Sequence, residues 1–187
     1  MKGRIWGVAV AAALCVLPVR ASAQELTPEQ AVERYFSTFK TGDFGANAAM
    51  MDPAALEELK TAMTQLATVA GSEGAEQLEE MFGVTSAEQL RGLTAAALYE
   101  RMLASVVKGE MRELLSNATI RVMGHVMEGD TAHVVYRMNM NMRGTTINQV
   151  QVAPLIRVGG AWRVLLTGSF AGMIGAVPPP GAPSPRD

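Results

Sequence analysis

Four runs of alternating apolar and polar residues, joined by three short glycine-containing segments, occupy residues 118–168 and constrain the fold most strongly. The runs read ATIRVMGHVM, TAHVVYRMNMNM, TINQVQVAPLIRV and WRVLLTG, and the joining segments read EGD, RGT and GGA. Alternation with a period of two is typical of strands with one buried face, and short glycine-containing turns are typical of hairpins. The segment therefore predicts an antiparallel meander of about four long strands.

The residues before this sheet predict helices. Thr27 is followed by a proline and, three residues on, by Gln30, which is the pattern of a capping box with proline in the first turn. Asp52 stands before another proline, Thr85 opens a second capping-box pattern, and Thr94 precedes an apolar stripe at helical spacing. We therefore expect helices that precede and cover the sheet, in an α+β fold.

The N-terminus predicts a signal peptide over residues 1–23. Lys2 and Arg4 precede an apolar run from residue 8 to residue 17, and Ala21-Ser22-Ala23 matches a small-residue cleavage site. The apolar run is too short to anchor the chain in a bilayer. We expect a secreted or periplasmic protein in which residues 24–177 form a single domain. The proline-rich residues 178–187 are expected to be a disordered tail.

Charge and cysteine content exclude several function classes for residues 24–187. This part of the chain has 13 basic and 18 acidic side chains, a net charge of −5, and no cysteine. Its negative charge disfavours nucleic acid as a partner, because nucleic-acid binding requires a basic face. Without cysteine it can form neither a disulfide nor a thiolate nucleophile or metal ligand.

Strand register and side-chain face are linked by the two-residue period, so the turn length predicts both. Three-residue turns at 128–130, 143–145 and 159–161 would align apolar residues on one face: Ile120, Val122, Val126, Ala132, Val134, Tyr136, Met138, Met140, Met142, Val150, Val152, Ile156, Trp162, Val164 and Leu166. The opposite face would then pair Arg121 with Arg137 and His125 with His133. We expect this second face to be an interface formed by Arg121, Met123, His125, His133, Val135, Arg137, Leu155 and Leu165.

The segment AVERYFSTFKTGDFGANAAMMDPAAL, together with DTAHVVYRM and GGAWRVLL, resembles the nuclear transport factor two-like (SnoaL-like) superfamily. The resemblance covers residues 27–55 and 118–168 and implies a cone-like curved sheet, with residues 56–117 as a helical insertion. It also implies a homodimer formed through the sheet face. Members include isomerases, dehydratases, hydrolases and non-catalytic proteins, so the resemblance does not by itself assign a function.

A ligand pocket is predicted where aromatic residues and methionines converge near the mouth of the cone. Its expected lining is Tyr35, Phe39, Tyr99, Tyr136, Met138, Met140 and Trp162. Ordinary core packing is the alternative, because aromatic side chains prefer protein interiors. The pocket hypothesis predicts a small apolar ligand oriented by the tyrosine hydroxyls and the indole N–H.

Catalytic and metal sites receive little support from the sequence. The sheet segment has two acidic residues, Glu128 and Asp130, both in a turn, whereas enzymes resembling this superfamily place a carboxylate inside the cone. We predict no catalytic residue, no metal and no cofactor, and a non-catalytic secreted binding or interaction domain. The alternatives are an isomerase or hydrolase of the same fold, and copper handling by Met138, Met140 and Met142, which share one strand face.

Overall fold

The computed structural model describes residues 25–142 and 145–166, and within them helices precede a four-stranded antiparallel sheet. The α-helices are α1 (Pro28–Thr41), α2 (Phe44–Met50), α3 (Pro53–Ala70), α4 (Ala75–Phe82), α5 (Ala87–Gly92), α6 (Ala95–Val106) and α7 (Gly109–Asn117). The strands are β1 (Thr119–Glu128), β2 (Thr131–Met142), β3 (Thr145–Val158) and β4 (Ala161–Val164), in that spatial order. The predicted α+β meander is therefore confirmed.

Local hydrogen bonds define the helix ends. Thr27 and Gln30 form the predicted capping box of α1, and Gly42 ends that helix at φ 73°, in the left-handed region that glycine tolerates. Asp52 and Thr94 cap α3 and α6 as predicted. The prediction for α5 was wrong by one residue, because Ser86 rather than Thr85 accepts the hydrogen bond from the Gln89 amide.

The turns contain two residues, so the predicted three-residue turns were wrong. Glu128 pairs directly with Thr131, and Val158 pairs with Ala161. Gly159 and Gly160 have φ values of 59° and 86°. Positive φ at both central positions is typical of the two-residue type I′ turn, whose twist matches that of the flanking strands. Between β2 and β3, Met142 pairs with Thr145, so Thr145 is not part of the predicted turn, and the two intervening residues lie outside the described part.

A bulge in β1 changes which residues face the helices. One extra residue stands between Val122, which pairs with Tyr136, and Gly124, which pairs with Val135. On the N-terminal side of the bulge, Arg121 pairs with Arg137, as predicted. On its C-terminal side, odd-numbered rather than even-numbered residues of β1 face the helices. His125 consequently pairs with Val134 and not with His133, so the predicted histidine pair was wrong.

The faces of β3 are opposite to those predicted. Ala153 and Leu155 are buried beside Val134 and Ala132, whereas Val150 and Val152 are exposed on the other side. A turn one residue shorter shifts the pairing by one position, and this shift moves every side chain of the strand to the other face. Leu155, predicted at an interface, is instead a core residue with no exposed surface.

The hydrophobic core lies between the helices and the inward face of the sheet. Its fully buried apolar side chains include Val32 of α1, Leu98 and Tyr99 of α6, and Val134 and Leu155 of the sheet. The segment between α2 and α3 joins the sheet, because the Asp52 amide donates to the Val164 carbonyl at 2.9 Å. Within the described residues, no helix combines the length and the apolar character needed to cross a membrane.

Replacing Gly124 with alanine is expected to lower the free energy of unfolding by about 1–3 kcal/mol. Gly124 has φ 143°, a conformation that side-chain-bearing residues rarely adopt, although an added Cβ would meet no atom within 4 Å. The cost therefore comes from the backbone and not from a clash. Gly92→Ala is the control: an added Cβ there also meets nothing, φ lies outside the positive range, and alanine favours the helix. Equal denaturation midpoints for the two variants would contradict this account of the bulge.

Candidate functional site

Three of the predicted pocket residues belong to an aromatic cluster between α1 and the sheet. The ring of Tyr35 meets that of Phe39 edge-on, with centroids 5.1 Å apart. Phe36 lies 5.0 Å from Tyr136, and Phe39 lies 6.5 Å from Phe44. These are the separations at which aromatic pairs are favourable. Tyr35, Phe39 and Tyr136 thus lie in one cluster, in which Phe36 makes the ring contact with β2.

A buried hydrogen-bond network lies behind this cluster and uses polar groups that the pocket hypothesis assigned to a ligand. Asn47 of α2 has no exposed surface, and its side-chain amide donates to Thr38 Oγ1 at 2.7 Å and to the Tyr35 carbonyl at 3.2 Å. The Tyr99 hydroxyl donates to Asn47 Oδ1 at 3.2 Å. Tyr99 therefore connects α6 to α2 inside the core and does not line a pocket.

The tyrosines of this region are held in their protonated form. Burial raises the pKa of Tyr35 well above its usual value, and the neighbouring Tyr99 raises it further. Burial raises the pKa of Tyr99 to about 12, and it also raises that of Tyr136. Each hydroxyl can consequently act as a hydrogen-bond donor near neutral pH. None is prepared to act as a base, which would require a lowered pKa.

A cleft of about 270 Å³ opens beside the aromatic cluster, between α1, α7 and the adjoining parts of β1 and β2. Its lining is largely apolar and consists of Phe36, Phe39, Leu115, Ala118, Ile120 and Met138, with Glu33, Ser37, Lys40 and Thr119 as the polar members. Five of the apolar side chains pack against the core but remain only partly buried. Their free surface faces the cleft, which is the arrangement of a small apolar binding site.

Helix α1 supplies the long wall of this cleft. Glu33, Phe36, Ser37 and Lys40 recur at intervals of three and four residues, so they share one side of the helix. Seven residues of helix span about 10 Å, so the carboxylate of Glu33 and the amine of Lys40 border opposite ends of the wall. Both side chains are exposed. The cleft thus has an apolar floor and one charge of each sign at its rim.

Of the predicted pocket residues, Phe39 and Met138 line this cleft and the others do not. Trp162 stands on β4, where the Arg157 guanidinium lies 5.8 Å from its ring centroid. Met140 pairs with Ile147 farther along the sheet. Leu115 and Ile120 were missed as pocket residues. The pattern of β1 did predict an inward Ile120, but nothing local indicated that α7 would complete the wall.

A second, larger groove lies between α3 and α5 and contains no predicted site residue. It has a volume of about 720 Å³ and is lined by Val69 and by seven residues of polar or charged type, Glu57, Lys60, Thr61, Thr64, Gln65, Thr68 and Arg91. Arg91 donates to Thr68 Oγ1 across it at 3.1 Å. The groove is broad and open, so it offers a ligand less enclosure than the cleft beside α1.

The two histidines have separate partners. His125 Nδ1 lies 2.5 Å from Glu29 Oε1 on α1, and this hydrogen bond lowers the pKa of the Glu29 carboxyl. His133 Nε2 lies 3.0 Å from Glu128 Oε2. In the described part of the chain, no three His, Cys, Asp or Glu side chains stand close enough together to hold a metal ion.

The outer face is the side of the sheet that faces away from the helices. It carries Arg121, Val126, His133, Val135, Arg137, Val150, Val152 and Ile156. Of the predicted interface residues, Arg121, His133, Val135 and Arg137 are on this face, and Met123 is exposed at the bulge. His125 instead turns toward α1, and Leu165 is half-buried beyond β4.

Comparisons of this chain with protein-family models, with curated proteins and with solved structures found no match. Functional inference therefore depends on the geometry of the cleft and of the outer face. The cleft offers an apolar surface with polar groups at its ends, and among the described residues the carboxylate that lines it is that of Glu33, which is exposed.

Proposed function

We propose that this protein is a non-catalytic binding protein that holds a small apolar ligand in the cleft between α1, α7 and the β1–β2 pair. The observation that carries the proposal is the partly buried apolar lining around about 270 Å³ of unfilled space. Apolar side chains that face a concave space gain free energy when an apolar ligand removes their remaining surface from water. The predicted signal peptide supports the further proposal that binding takes place after export, in a secreted or periplasmic protein.

The volume of the cleft sets the size of the ligand. Drug-sized ligands occupy pockets of about 300–1,000 Å³. A cleft of about 270 Å³ therefore suits one hydrocarbon chain or one or two fused rings rather than a larger polycyclic molecule. Ser37, Lys40 and Glu33 can orient a polar group at either end of the ligand through hydrogen bonds or charge.

A binding role is favoured over an isomerase or hydrolase by the carboxylate at this site. General-base catalysis needs a carboxylate whose pKa has been adjusted by burial and which lies within reach of the reacting atom. Within residues 25–142 and 145–166, Glu33 is the one carboxylate that lines the cleft, and it is exposed at the rim. The helix-then-meander order also supports the proposal that the chain belongs to the nuclear transport factor two-like superfamily, which includes non-catalytic members.

The neutral dye N-phenyl-1-naphthylamine, whose fluorescence rises in apolar surroundings, is expected to bind the purified protein with one site per chain. Leu115→Gln replaces an apolar wall by a polar one of similar size and keeps a good helix former. We expect it to weaken dye binding roughly tenfold, which corresponds to about 1.4 kcal/mol of lost apolar contact. Titration of dye fluorescence, with circular dichroism to verify folding, measures this change.

Leu66→Gln is the matched control, because Leu66 lies on α3 away from the cleft and is 62% exposed. It should leave dye affinity unchanged. Weakened binding in Leu115→Gln alone supports the cleft as the site. Equal affinities in the wild type and both variants would place the dye elsewhere and reject the proposal. Failure of the wild type to bind the dye would also count against an apolar ligand.

A further inference from the structure

The outer face of the sheet exposes a continuous apolar surface that the proposed ligand site does not use. Val126, Val150 and Val152 are 65%, 54% and 49% exposed. Register places Val135 directly beside Val152, and Val150 directly beside Arg137. Side chains paired across strands are in contact, and Val150 and Val152 share one face of β3, so Val135, Val150 and Val152 form one patch. Contiguous exposed apolar surface on a sheet is typical of an interaction site.

Two arginines stand at one end of this patch. Arg121 and Arg137 are direct cross-strand neighbours, and both are exposed. Neither forms a salt bridge with any carboxylate among residues 25–142 and 145–166. Like charges in this position repel each other. A carboxylate placed over them would remove the repulsion and accept hydrogen bonds from both guanidinium groups.

The acidic residues of the chain are concentrated away from this face. Residues 25–117 contain 15 acidic and 7 basic side chains, whereas residues 118–166 contain 2 acidic and 5 basic ones. Of those two, Glu128 is already hydrogen-bonded to His133, and Asp130 lies in the turn after β1. The sheet segment therefore carries a net positive charge on a protein that is acidic elsewhere, and Arg121 and Arg137 are the arginines beside the valine patch.

We propose that the outer face binds an acidic segment of another protein that presents carboxylates together with small apolar side chains. The carboxylates would bind Arg121 and Arg137, and the apolar side chains would cover Val135, Val150 and Val152. A second copy of this chain fits less well, because a two-fold interface repeats the same patch and offers the arginines the carboxylates of the β1–β2 turn, of which Glu128 is already hydrogen-bonded to His133. A flat anionic bilayer fits less well because the acidic turn at Glu128 and Asp130 borders the face.

The experiment measures binding of three fluorescein-labelled peptides to the full protein by fluorescence anisotropy. The first repeats Glu-Ser-Val-Ser, so that glutamate and valine share one side of an extended chain. In the second, lysine replaces glutamate, and in the third, serine replaces valine. We expect clear binding of the first peptide, weakening as salt is raised, and much weaker binding of the other two. The double variant Arg121→Glu, Arg137→Glu should weaken binding of the first peptide roughly tenfold or more.

Arg34→Glu is the control for a charge reversal elsewhere on the surface, since Arg34 is exposed on α1 and its substitution should leave peptide affinity unchanged. Val152→Ser should weaken binding of the valine-containing acidic peptide and should not alter the glutamate–serine peptide. Should the double arginine variant fail to fold, the salt dependence and the Val152→Ser result still decide the matter.

Several results would overturn the proposal. Failure of the acidic peptide to bind would reject the proposal, whatever the cause. Coverage of the outer face by residues 167–187 of the same chain would be one such cause. A wild-type dimer in sedimentation that Val135→Asp converts to a monomer would assign the face to a second copy. Binding to phosphatidylglycerol vesicles without binding to the peptide would assign it to a membrane surface.

Discussion

Asn47→Ala is expected to lower the free energy of unfolding by about 2–4 kcal/mol, because it removes the centre of the buried hydrogen-bond network. The wild-type side chain donates to Thr38 Oγ1 and to the Tyr35 carbonyl, and it accepts from the Tyr99 hydroxyl. Alanine provides neither donor nor acceptor and leaves a cavity among α1, α2 and α6. Chemical denaturation monitored by circular dichroism measures the loss.

Asn117→Ala supplies the matched control, because Asn117 ends α7 in an exposed position. Its effect should stay within about 0.5 kcal/mol, as is usual for surface substitutions. If Asn47→Ala were equally mild, the network would contribute little and the helices would be held by apolar packing alone.

Asn47→Asp separates the hydrogen-bonding role of Asn47 from its volume. The carboxyl is nearly isosteric with the amide, but burial would raise its pKa in the folded state above the unfolded value. The folded state then binds a proton more tightly than the unfolded state. The variant should therefore be more stable relative to wild type at acidic pH than at neutral pH. A stability difference that does not change with pH would show that position 47 is accessible to water.

The helix limits could be predicted from the sequence because the interactions that set them are local. Thr27 reaches Gln30, Asp52 reaches the Ala55 amide, and Thr94 reaches the Ala97 amide, each within three residues. The residue pattern therefore contains both partners of each bond. The error at α5 is of the same local kind, since Thr85 and Ser86 can both accept a hydrogen bond and the sequence does not rank them.

The sheet register did not follow from the residue pattern in the same way, because two features offset each other. The segments EGD and GGA are compatible with turns of two or three residues. The bulge before Gly124 then restores Val122 and Ile120 to the inner face despite the shorter turn. A glycine inside a strand pattern is a signal of a bulge, and His125 inside an apolar alternation was the second indication. Gly124 and His125 are therefore the two residues of this strand that indicate the bulge.

The candidate cleft was only partly predictable because its walls come from distant parts of the chain. Phe39 and Met138 were expected in a pocket on the basis of residue type, and both line the cleft. Leu115 joins them only because α7 packs beside α1, a tertiary arrangement that helical periodicity does not encode. Conversely, Tyr99 has the aromatic ring and hydroxyl expected of a pocket residue, but it lies in the core, where its hydroxyl donates to Asn47.

The β3 register can be tested directly by comparing Leu155→Ala with Val152→Ala. Leu155→Ala should lower the free energy of unfolding by several kcal/mol more than Val152→Ala does. Leu155 has no exposed surface and lies between Ala132 and Val164. Truncating it should cost about 2–5 kcal/mol through lost burial and an unfilled cavity. Val152 is 49% exposed, so the same truncation should cost no more than about 1 kcal/mol, mainly through reduced strand propensity.

The three-residue turns suggested by the residue pattern predict the reverse order, with Val152 in the core and Leu155 outside. Urea denaturation of both variants distinguishes the two registers without a further structure, since each strand face is exposed or buried as a unit. A larger loss of stability in Val152→Ala would reject the observed pairing of Val135 with Val152. It would also remove the valine patch from the outer face and with it the surface on which an acidic partner is proposed to bind.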